Sequence, residues 1–289
     1  MLRSQNSAPS WRGWQSCRRR VLRRPRKSSS GECCLRLTPT RSINERHLVY
    51  LHGGAYVLGS PETHAAWVRW WAVRANAVVT LVDYRLAPEH PYPAAIEDCT
   101  SVMEALYKTV APGDITIAGD SAGGGATLAT LCRLRDSGYP VPAGAVLFSP
   151  WTDLTASGES MNTRRDIDPM IDPDWIAPFA DHYRGTTPAD HPEVSPLFAD
   201  LRGLPPTLIQ VGDHEVLLDD STRLADALRA AGVTVELDIA AEMWHVYQGF
   251  FAMMPEARKA LLRAAEFMGK ATRGELVDVR DESDFAVGR

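Results

Sequence analysis

The pentapeptide Gly119-Asp120-Ser121-Ala122-Gly123 constrains this chain more than any other stretch. It follows a β-branched run at 115–118 and precedes a helix-like stretch over 122–135, which is the strand–turn–helix context of a nucleophile elbow. Glycine on both sides of the serine permits a turn too tight for side chains, and the turn lifts the hydroxyl above the strand end. The serine also lies at a predicted helix N-terminus, where N–H groups face developing negative charge. The pattern predicts a serine nucleophile, provided that partner residues follow.

The remainder of the chain alternates strand-like and helix-like segments. Further strands are predicted at 47–51, 77–82, 143–148, 207–211 and 233–239, and further helices at 64–76, 93–107, 219–231 and 255–269. This order predicts an α/β fold with a mostly parallel sheet flanked by helices. The last strand alternates apolar and polar residues, so we expect it to be peripheral and half exposed. A chain of 289 residues, 45% of them hydrophobic, is long enough for one large core.

Residues 152–203 break this alternation. Six prolines interrupt the segment, and its apolar periodicity is too weak for a core element. We interpret it as a long excursion with one or two helices around 174–183, placed to cover the serine and to contribute to a cap and substrate pocket. The predicted organisation is a basic leader at 1–44, an α/β domain at 45–270 and a polar tail at 271–289.

Charge separates the leader from the rest of the chain. Residues 1–46 hold twelve Lys and Arg residues against Glu32 and Glu45, although the whole chain has a net charge of −5. Clustered arginines suit a phosphate-binding arm, and an Arg-rich, Ser-rich and acid-poor start is also typical of targeting peptides. We favour a third interpretation, a poorly ordered leader, because the segment has no helix or strand period.

Cysteine usage and hydropathy indicate the compartment. The five cysteines are odd in number and contain no CxxC pair, which favours neither a disulfide framework nor a zinc site. Cys99 and Cys132 fall in helix-like stretches and are predicted to be buried free thiols. No apolar run approaches the roughly 20 residues of a membrane span. We therefore expect a soluble cytoplasmic protein that needs no metal or cofactor and binds no nucleic acid, with a homodimer as one option for its assembly.

A serine nucleophile needs an acid and a histidine, and in an α/β-hydrolase they follow the serine in that order. His245 is the one histidine after the last predicted strand, so order selects it as the base. The loop after the strand at 207–211 offers four carboxylates: Asp213, Glu215, Asp219 and Asp220. The last two begin a predicted helix, where negative side chains are favoured for structural reasons. Spacing alone leaves the acid open.

Several motifs in order carry a resemblance to a known family. They are HGGAYVLGSP at 52–61, DYRLAPEHPYPAA at 83–95, GDSAGGG at 119–125, VGDHEVLLDDS at 211–221 and the segment around His245. Over about residues 47–269 the chain closely resembles the hormone-sensitive-lipase-like (family IV) carboxylesterases of the α/β-hydrolase superfamily. The resemblance implies the α/β-hydrolase fold and hydrolysis of small esters.

The resemblance also assigns roles to residues. The implied catalytic triad is Ser121, Glu215 and His245. Asp213 is the alternative acid. The implied oxyanion hole consists of the backbone N–H groups of Gly53, Gly54 and Ala122. No cofactor is implied.

Two departures from the family pattern bear on the pocket. Ala55 stands where the family usually has a third glycine, and only 51 residues precede His52 where the family has a helical cap and the first strands of the sheet. We therefore expect a reduced or atypical N-terminal cap. We expect short-chain acyl esters as substrates, because nothing in the sequence provides the large apolar lid surface of an interfacial lipase. An N-acetyl or lactone hydrolase with the same triad is the alternative. A non-catalytic small-molecule receptor on this fold is a third hypothesis, against which His245 argues.

Overall fold

The computed structural model describes residues 17–21, 33–39 and 46–276; the rest of the leader and of the polar tail lies outside the described residues. The strands are β1 Cys17–Val21, β2 Cys33–Pro39, β3 His47–Leu51, β4 Val78–Asp83, β5 Ile115–Asp120, β6 Gly144–Phe148, β7 Thr207–Gly212 and β8 Val235–Ala240. The α-helices are α1 Pro61–Ala75, α2 Ala94–Tyr107, α3 Ala122–Asp136, α4 Ser160–Thr163, α5 Pro173–Arg184, α6 Leu218–Ala230 and α7 Pro255–Ala271.

These strands form one sheet in the order β1-β2-β4-β3-β5-β6-β7-β8. The six strands from β4 to β8 in that order are parallel, whereas β1 and β2 pair antiparallel at one edge. Parallel strands place their carboxyl ends at the same edge of a sheet, so the loops after β3, β5, β6, β7 and β8 meet there. The predicted α/β architecture, a mostly parallel sheet flanked by helices, is confirmed.

Helices cover both faces of the sheet, which is why the central strands are apolar along their whole length. On one face α1 and α7 bury Trp67, Trp71 and Leu261, and on the other α2, α3 and α6 bury Met103 and Leu224 among others. Strand β8 lies at the open edge and is half buried, as its alternating sequence predicted. The two helical layers hold the carboxyl ends of the central strands rigidly in place.

The first two strands correct the expectation for the leader. No strand was expected in 1–44, yet β2 pairs with β4 from Cys33 opposite Asp83 to Leu37 opposite Val79, and β1 pairs with β2. An edge strand takes its hydrogen bonds from the neighbouring strand, so it can form without a strong local pattern of its own. The sheet therefore begins within the leader.

The excursion at 152–203 is more firmly tied to the core than its weak periodicity indicated. Helix α5 buries Ile176, Ala180 and Tyr183, and the Tyr183 ring stacks on Tyr56 with centroids 3.6 Å apart. At the start of the excursion, the backbone N–H groups of Thr152 and Asp153 donate hydrogen bonds to the Asp220 carboxylate. Long-range contacts of this kind are invisible to a helical or strand period.

Burial of Asp220 leads to a stability prediction. Desolvation in its fully buried position raises the pKa of Asp220 to about 7. A carboxyl whose pKa is raised on folding contributes stability that is fully present below the pKa of the unfolded chain and is lost as pH rises through the folded value. Between pH 5 and pH 8 the free energy of unfolding of the wild type should fall more than that of the Asp220→Asn variant. The difference between the two falls should be on the order of a few kcal/mol.

Urea unfolding at both pH values measures this difference. Asp226→Asn, an exposed change on the same helix, is the matched control and should follow the wild type. Parallel pH dependence in the wild type and Asp220→Asn would contradict the assignment.

Candidate active site

The segment around Ser121 forms the predicted turn between β5 and α3. Ser121 has φ 52° and ψ −123°, a strained conformation that is uncommon for a residue with a side chain. Its backbone N–H donates to the Phe148 carbonyl at 2.9 Å, which helps to hold the turn. A Cβ at Gly123 would overlap the Leu51 carbonyl, so the close approach of α3 to β3 requires glycine there. The serine is therefore fixed at the carboxyl edge of the sheet, at the N-terminus of α3.

Glu215 and His245 meet at the same edge. Glu215 follows β7 and is fully buried, and His245 follows β8 and is 6% exposed. His245 Nδ1 lies 2.9 Å from Glu215 Oε2. Burial lowers the pKa of His245, but the hydrogen bond and the charge of Glu215 outweigh it and leave the pKa raised above its ordinary value. The carboxylate thus orients the imidazole and stabilises its protonated form.

Sequence reasoning missed Ser149, which holds the carboxylate in place. Ser149 follows β6, and its Oγ donates to Glu215 Oε1 at 2.7 Å while it accepts from the Val246 backbone N–H at 3.1 Å. The backbone N–H of Gly212 donates to the same Glu215 oxygen at 2.5 Å. One carboxylate oxygen is thereby held by two donors and the other faces His245. The sequence offered one signal for this role: a serine directly after β6, the strand that lies between the nucleophile strand β5 and the acid strand β7.

Removing the Ser149 hydroxyl should weaken this support. A hydrogen bond to a charged group contributes about 1.5–3 kcal/mol, so we expect Ser149→Ala to lower kcat/KM for a p-nitrophenyl ester by roughly 10- to 100-fold. The control is Ser137→Ala, which truncates an exposed serine at the end of α3. An unchanged kcat/KM in Ser149→Ala would show that the Glu215 carboxylate does not depend on this contact.

Asp213, the alternative acid, is engaged elsewhere. Its Oδ1 accepts a hydrogen bond of 2.6 Å from the Glu242 backbone N–H and lies 3.8 Å from His214 Nε2. Asp219 and Asp220 tie α6 to the excursion, since Asp219 Oδ2 accepts from Ser160 N–H at 2.9 Å and Asp220 accepts from Thr152. Of the four candidate carboxylates, Glu215 is the one that the structure brings to His245.

The predicted oxyanion donor Gly53 does not fit the structure. Its backbone N–H donates to Asp120 Oδ1 at 3.0 Å, behind the turn, and is therefore not free to bind an oxyanion. The N–H groups of Gly54 and Ala55, in contrast, have no hydrogen-bond acceptor among the described residues. Ala122, the first residue of α3, lies where a helix leaves its N–H groups unsatisfied. The backbone geometry thus favours Gly54, Ala55 and Ala122.

The backbone conformation of Ala55 explains why the family usually has a glycine at this position. Its φ is 53°, in the left-handed region, and Gly54 before it has φ 125°. An alanine there costs about 1–2 kcal/mol relative to a glycine, but it leaves the backbone N–H in place. The histidine of the same motif, His52, lies 2.8 Å from the Gly53 carbonyl through Nδ1 and stacks on Tyr84 at 4.3 Å. Its role here is to hold the loop.

Three tryptophans, one directly before the excursion, one within it and one after it, occupy different environments. Trp151 is buried next to Tyr56, with ring centroids 6.4 Å apart. Trp175 on α5 is 52% exposed, and Trp244 is half buried against Phe250. Within 17–21, 33–39 and 46–276, no group of three His, Cys, Asp or Glu side chains is placed to hold a metal ion. No helix in this part of the chain is long and apolar enough to cross a membrane.

Fold and site together define an α/β-hydrolase, and comparison with known proteins agrees. Residues 48–249 match the family described as having the α/β hydrolase fold, so the chain belongs to that family. It is 41% identical over 243 residues to an acetyl-hydrolase of Streptomyces hygroscopicus, covering 84% of this chain and 81% of that one. It is 43% identical over 223 residues to an esterase of Acinetobacter venetianus, covering 76% and 73%.

Comparison with solved structures indicates which group of α/β-hydrolases the chain resembles. The chain superposes on an esterase from the bacterial hormone-sensitive lipase family with a TM-score of 0.83 and 38% identity, covering 89% of this chain and 84% of that one. The predicted resemblance to the hormone-sensitive-lipase-like esterases is therefore confirmed.

Proposed function

We propose that this protein is a serine carboxylesterase that hydrolyses short-chain acyl esters through an acyl-enzyme intermediate. The observation that carries the proposal is the buried Glu215–His245 pair, joined at 2.9 Å, at the sheet edge where Ser121 forms a strained turn. A nucleophile, an orienting acid and a base that follow β5, β7 and β8 in that order, all at one edge of the sheet, are the arrangement that acyl transfer requires. The relatives named esterase support the proposal by sequence.

The proposed mechanism has two steps. His245 takes the proton of Ser121 Oγ, which attacks the ester carbonyl, and the tetrahedral oxyanion accepts hydrogen bonds from Gly54, Ala55 and Ala122 N–H. The C–O bond to the alcohol breaks, and His245 returns the proton to the leaving alcohol. Water, deprotonated by His245, then attacks the acyl-serine; the bond between the acyl carbon and Ser121 Oγ breaks, His245 returns the proton to Oγ, and the carboxylic acid leaves. Glu215 holds the imidazole tautomer throughout.

The excursion is proposed to form one wall of the acyl pocket. Asp168 Oδ2 accepts a hydrogen bond of 2.9 Å from the Val216 backbone N–H, directly after Glu215, so this part of the excursion reaches the loop of the acid. Ile167 and Met170, which are close to Asp168 in sequence, have exposed apolar side chains. Exposed apolar side chains close in sequence to a contact with the loop of the acid suit a wall for a small acyl chain.

Hydrolysis of a p-nitrophenyl ester series from acetate to palmitate tests this proposal. We expect activity that peaks at short acyl groups and is absent in the Ser121→Ala control. If the protein hydrolyses none of the esters in the series, the proposal is overturned. The relative named acetyl-hydrolase favours one alternative, removal of an N-acetyl group with the same residues; release of acetate from N-acetylated substrates, with slower turnover of the esters, would select that alternative.

We also propose a cytoplasmic homodimer. Cys99 and Cys132 are buried free thiols, as expected of a reducing compartment. Among the strands that the structure describes, β8 is the last of the sheet and has no strand on its outer side. An open groove of about 660 Å³ runs between β8 and α7 beside Ile239, which is 49% exposed. A second copy pairing along β8 would cover both. Light scattering should give a dimer mass for the wild type and a monomer mass for Ile239→Lys; a monomeric wild type contradicts the proposal.

A further inference from the structure

A buried polar network lies behind the proposed oxyanion segment, residues 53–55. Its centre is Asp120, which immediately precedes Ser121 and is 3% exposed. Asp120 Oδ1 accepts hydrogen bonds from Tyr50 Oη at 2.6 Å and from the Gly53 backbone N–H at 3.0 Å. Its other oxygen, Oδ2, lies 3.3 Å from His64 Nε2 in the first turn of α1. One carboxylate thus connects the serine turn, the oxyanion segment and α1.

The start of α1 explains how His64 reaches this network. The helix begins at Pro61, three residues before the predicted start, because Ser60 and Thr63 form a capping arrangement in which the Ser60 backbone N–H donates to Thr63 Oγ1 at 3.1 Å. His64 therefore lies one turn into the helix rather than at its first position, and its ring faces Asp120. It packs near the rings of His52 and Trp67, at 5.6 and 6.2 Å between centroids.

The polar atoms around His64 suit a ring that carries two protons. Nε2 faces the Asp120 carboxylate, which can only accept. Nδ1 lies 2.8 Å from Thr63 Oγ1 and 3.3 Å from the Ser60 carbonyl. Because the Thr63 hydroxyl donates its own hydrogen to the Ser60 carbonyl at 2.8 Å, it accepts from Nδ1. Both ring nitrogens therefore face acceptors, which is the arrangement that an imidazolium satisfies.

The surrounding charges support this state. Burial lowers the pKa of His64, but the Asp120 charge and hydrogen bond outweigh it and raise the pKa above its ordinary value. Burial also raises the pKa of Asp120, yet His64 and Tyr50 lower it overall. The other titratable groups that face the ring are Tyr50 from β3, with a raised pKa, and His52, whose pKa burial lowers to about 4. At neutral pH both are uncharged, so the His64–Asp120 pair is the charged unit.

We propose that His64, as an imidazolium paired with Asp120, is a positioning residue that fixes the oxyanion segment, so that loss of its proton lowers turnover at alkaline pH. The inference rests on the proposed esterase function. The path of the effect is short: Asp120 holds the Gly53 N–H, and Gly53 precedes the two N–H groups proposed to bind the oxyanion. A shift of a few tenths of an ångström in these donors weakens binding of the oxyanion more than binding of the ester, since the negative charge develops only in the transition state.

The sign of the pH effect follows from the pair. His64 keeps its proton below its raised pKa, and the segment is held there. As pH rises through that pKa the charge is lost, and the Asp120 carboxylate loses the cation that faces it. The wild-type profile of kcat should therefore show a decline on the alkaline side, separate from the acid decline that His245 produces when it is protonated.

The test compares kcat and KM across pH for the wild type, His64→Gln and His90→Gln with p-nitrophenyl acetate. Gln keeps a donor near Asp120 but carries no charge, and His90 is an exposed histidine that serves as the matched control. Since loss of a whole oxyanion donor typically costs 10²–10³ in kcat, we expect a fall of about 10-fold in His64→Gln with KM little changed. The alkaline decline should disappear in His64→Gln and persist in His90→Gln. An alkaline decline of the same midpoint in all three proteins overturns the proposal.

Nitrogen-15 spectra of the histidine rings in the wild type give a readout that does not depend on turnover. Doubly protonated His64 at neutral pH, with a midpoint that matches the alkaline decline of kcat, is the expected result. A neutral His64 ring at neutral pH overturns the proposal even if His64→Gln does not fold. Failure of the esterase assignment looks different: the wild type would then hydrolyse none of the esters while the ring spectrum still reports the charge of His64.

Discussion

Replacing Ser121 by alanine should abolish the turnover of p-nitrophenyl esters. Ser121 supplies the atom that bonds to the acyl group, and removing a triad serine lowers kcat by on the order of 10⁶. The fold should be kept, since alanine fits the space that the serine side chain occupies. Steady-state rates and the initial burst of p-nitrophenol measure the effect.

Ser137→Ala is the control, because it removes an exposed hydroxyl at the other end of the same helix. It should retain wild-type rates. A burst of p-nitrophenol in Ser121→Ala would show that another residue is the nucleophile.

The second large effect is expected for Glu215→Gln. The donors Ser149 Oγ and Gly212 N–H both point at one oxygen of this side chain, so an amide would keep its oxygen there and turn its NH₂ group toward His245. Nδ1 of His245 would then accept a hydrogen bond from the amide, and the ring hydrogen would be on Nε2. An Nε2 that carries a hydrogen cannot accept the proton of Ser121. We expect kcat to fall by about 10³- to 10⁴-fold, as when a triad aspartate is made an amide.

This variant should also change the pH profile. His245 must be neutral to accept the proton of Ser121, so the wild-type rate falls as pH drops through the pKa that Glu215 raises. Without the carboxylate charge, the acid limb of kcat/KM should move to lower pH. Asp213→Asn is the matched control on the same loop and should leave both rate and profile close to the wild type. A large loss in Asp213→Asn with little change in Glu215→Gln would assign the acid to Asp213.

Much of the site was predictable because its residues occupy ordered motifs. The glycine-flanked Ser121 is recognisable from the tight turn that it requires, and His245 from its position after the last strand. Glu215 could be separated from Asp213 only by resemblance, since both lie in one short loop. The structure separates them by direction: one carboxylate points at His245 and the other at the Glu242 backbone.

The features that sequence reasoning missed depend on long-range contacts. Gly53 was predicted to bind the oxyanion, but whether its N–H is free depends on Asp120, which lies 67 positions away. Ser149 bonds to a glutamate 66 positions later, and no motif joins them. Strands β1 and β2 form against β4 without a strong pattern of their own. In each case the partner, rather than the local sequence, determines the role.

The most direct test of the central claim is to trap the acyl-enzyme. The protein is mixed with p-nitrophenyl butyrate, quenched with acid during turnover, digested and analysed by mass spectrometry. We expect one butyryl group on the peptide that contains Ser121, and none in Ser121→Ala. Turnover without an acylated Ser121 peptide under conditions where deacylation limits the rate, or a butyryl group on a different residue, would contradict it.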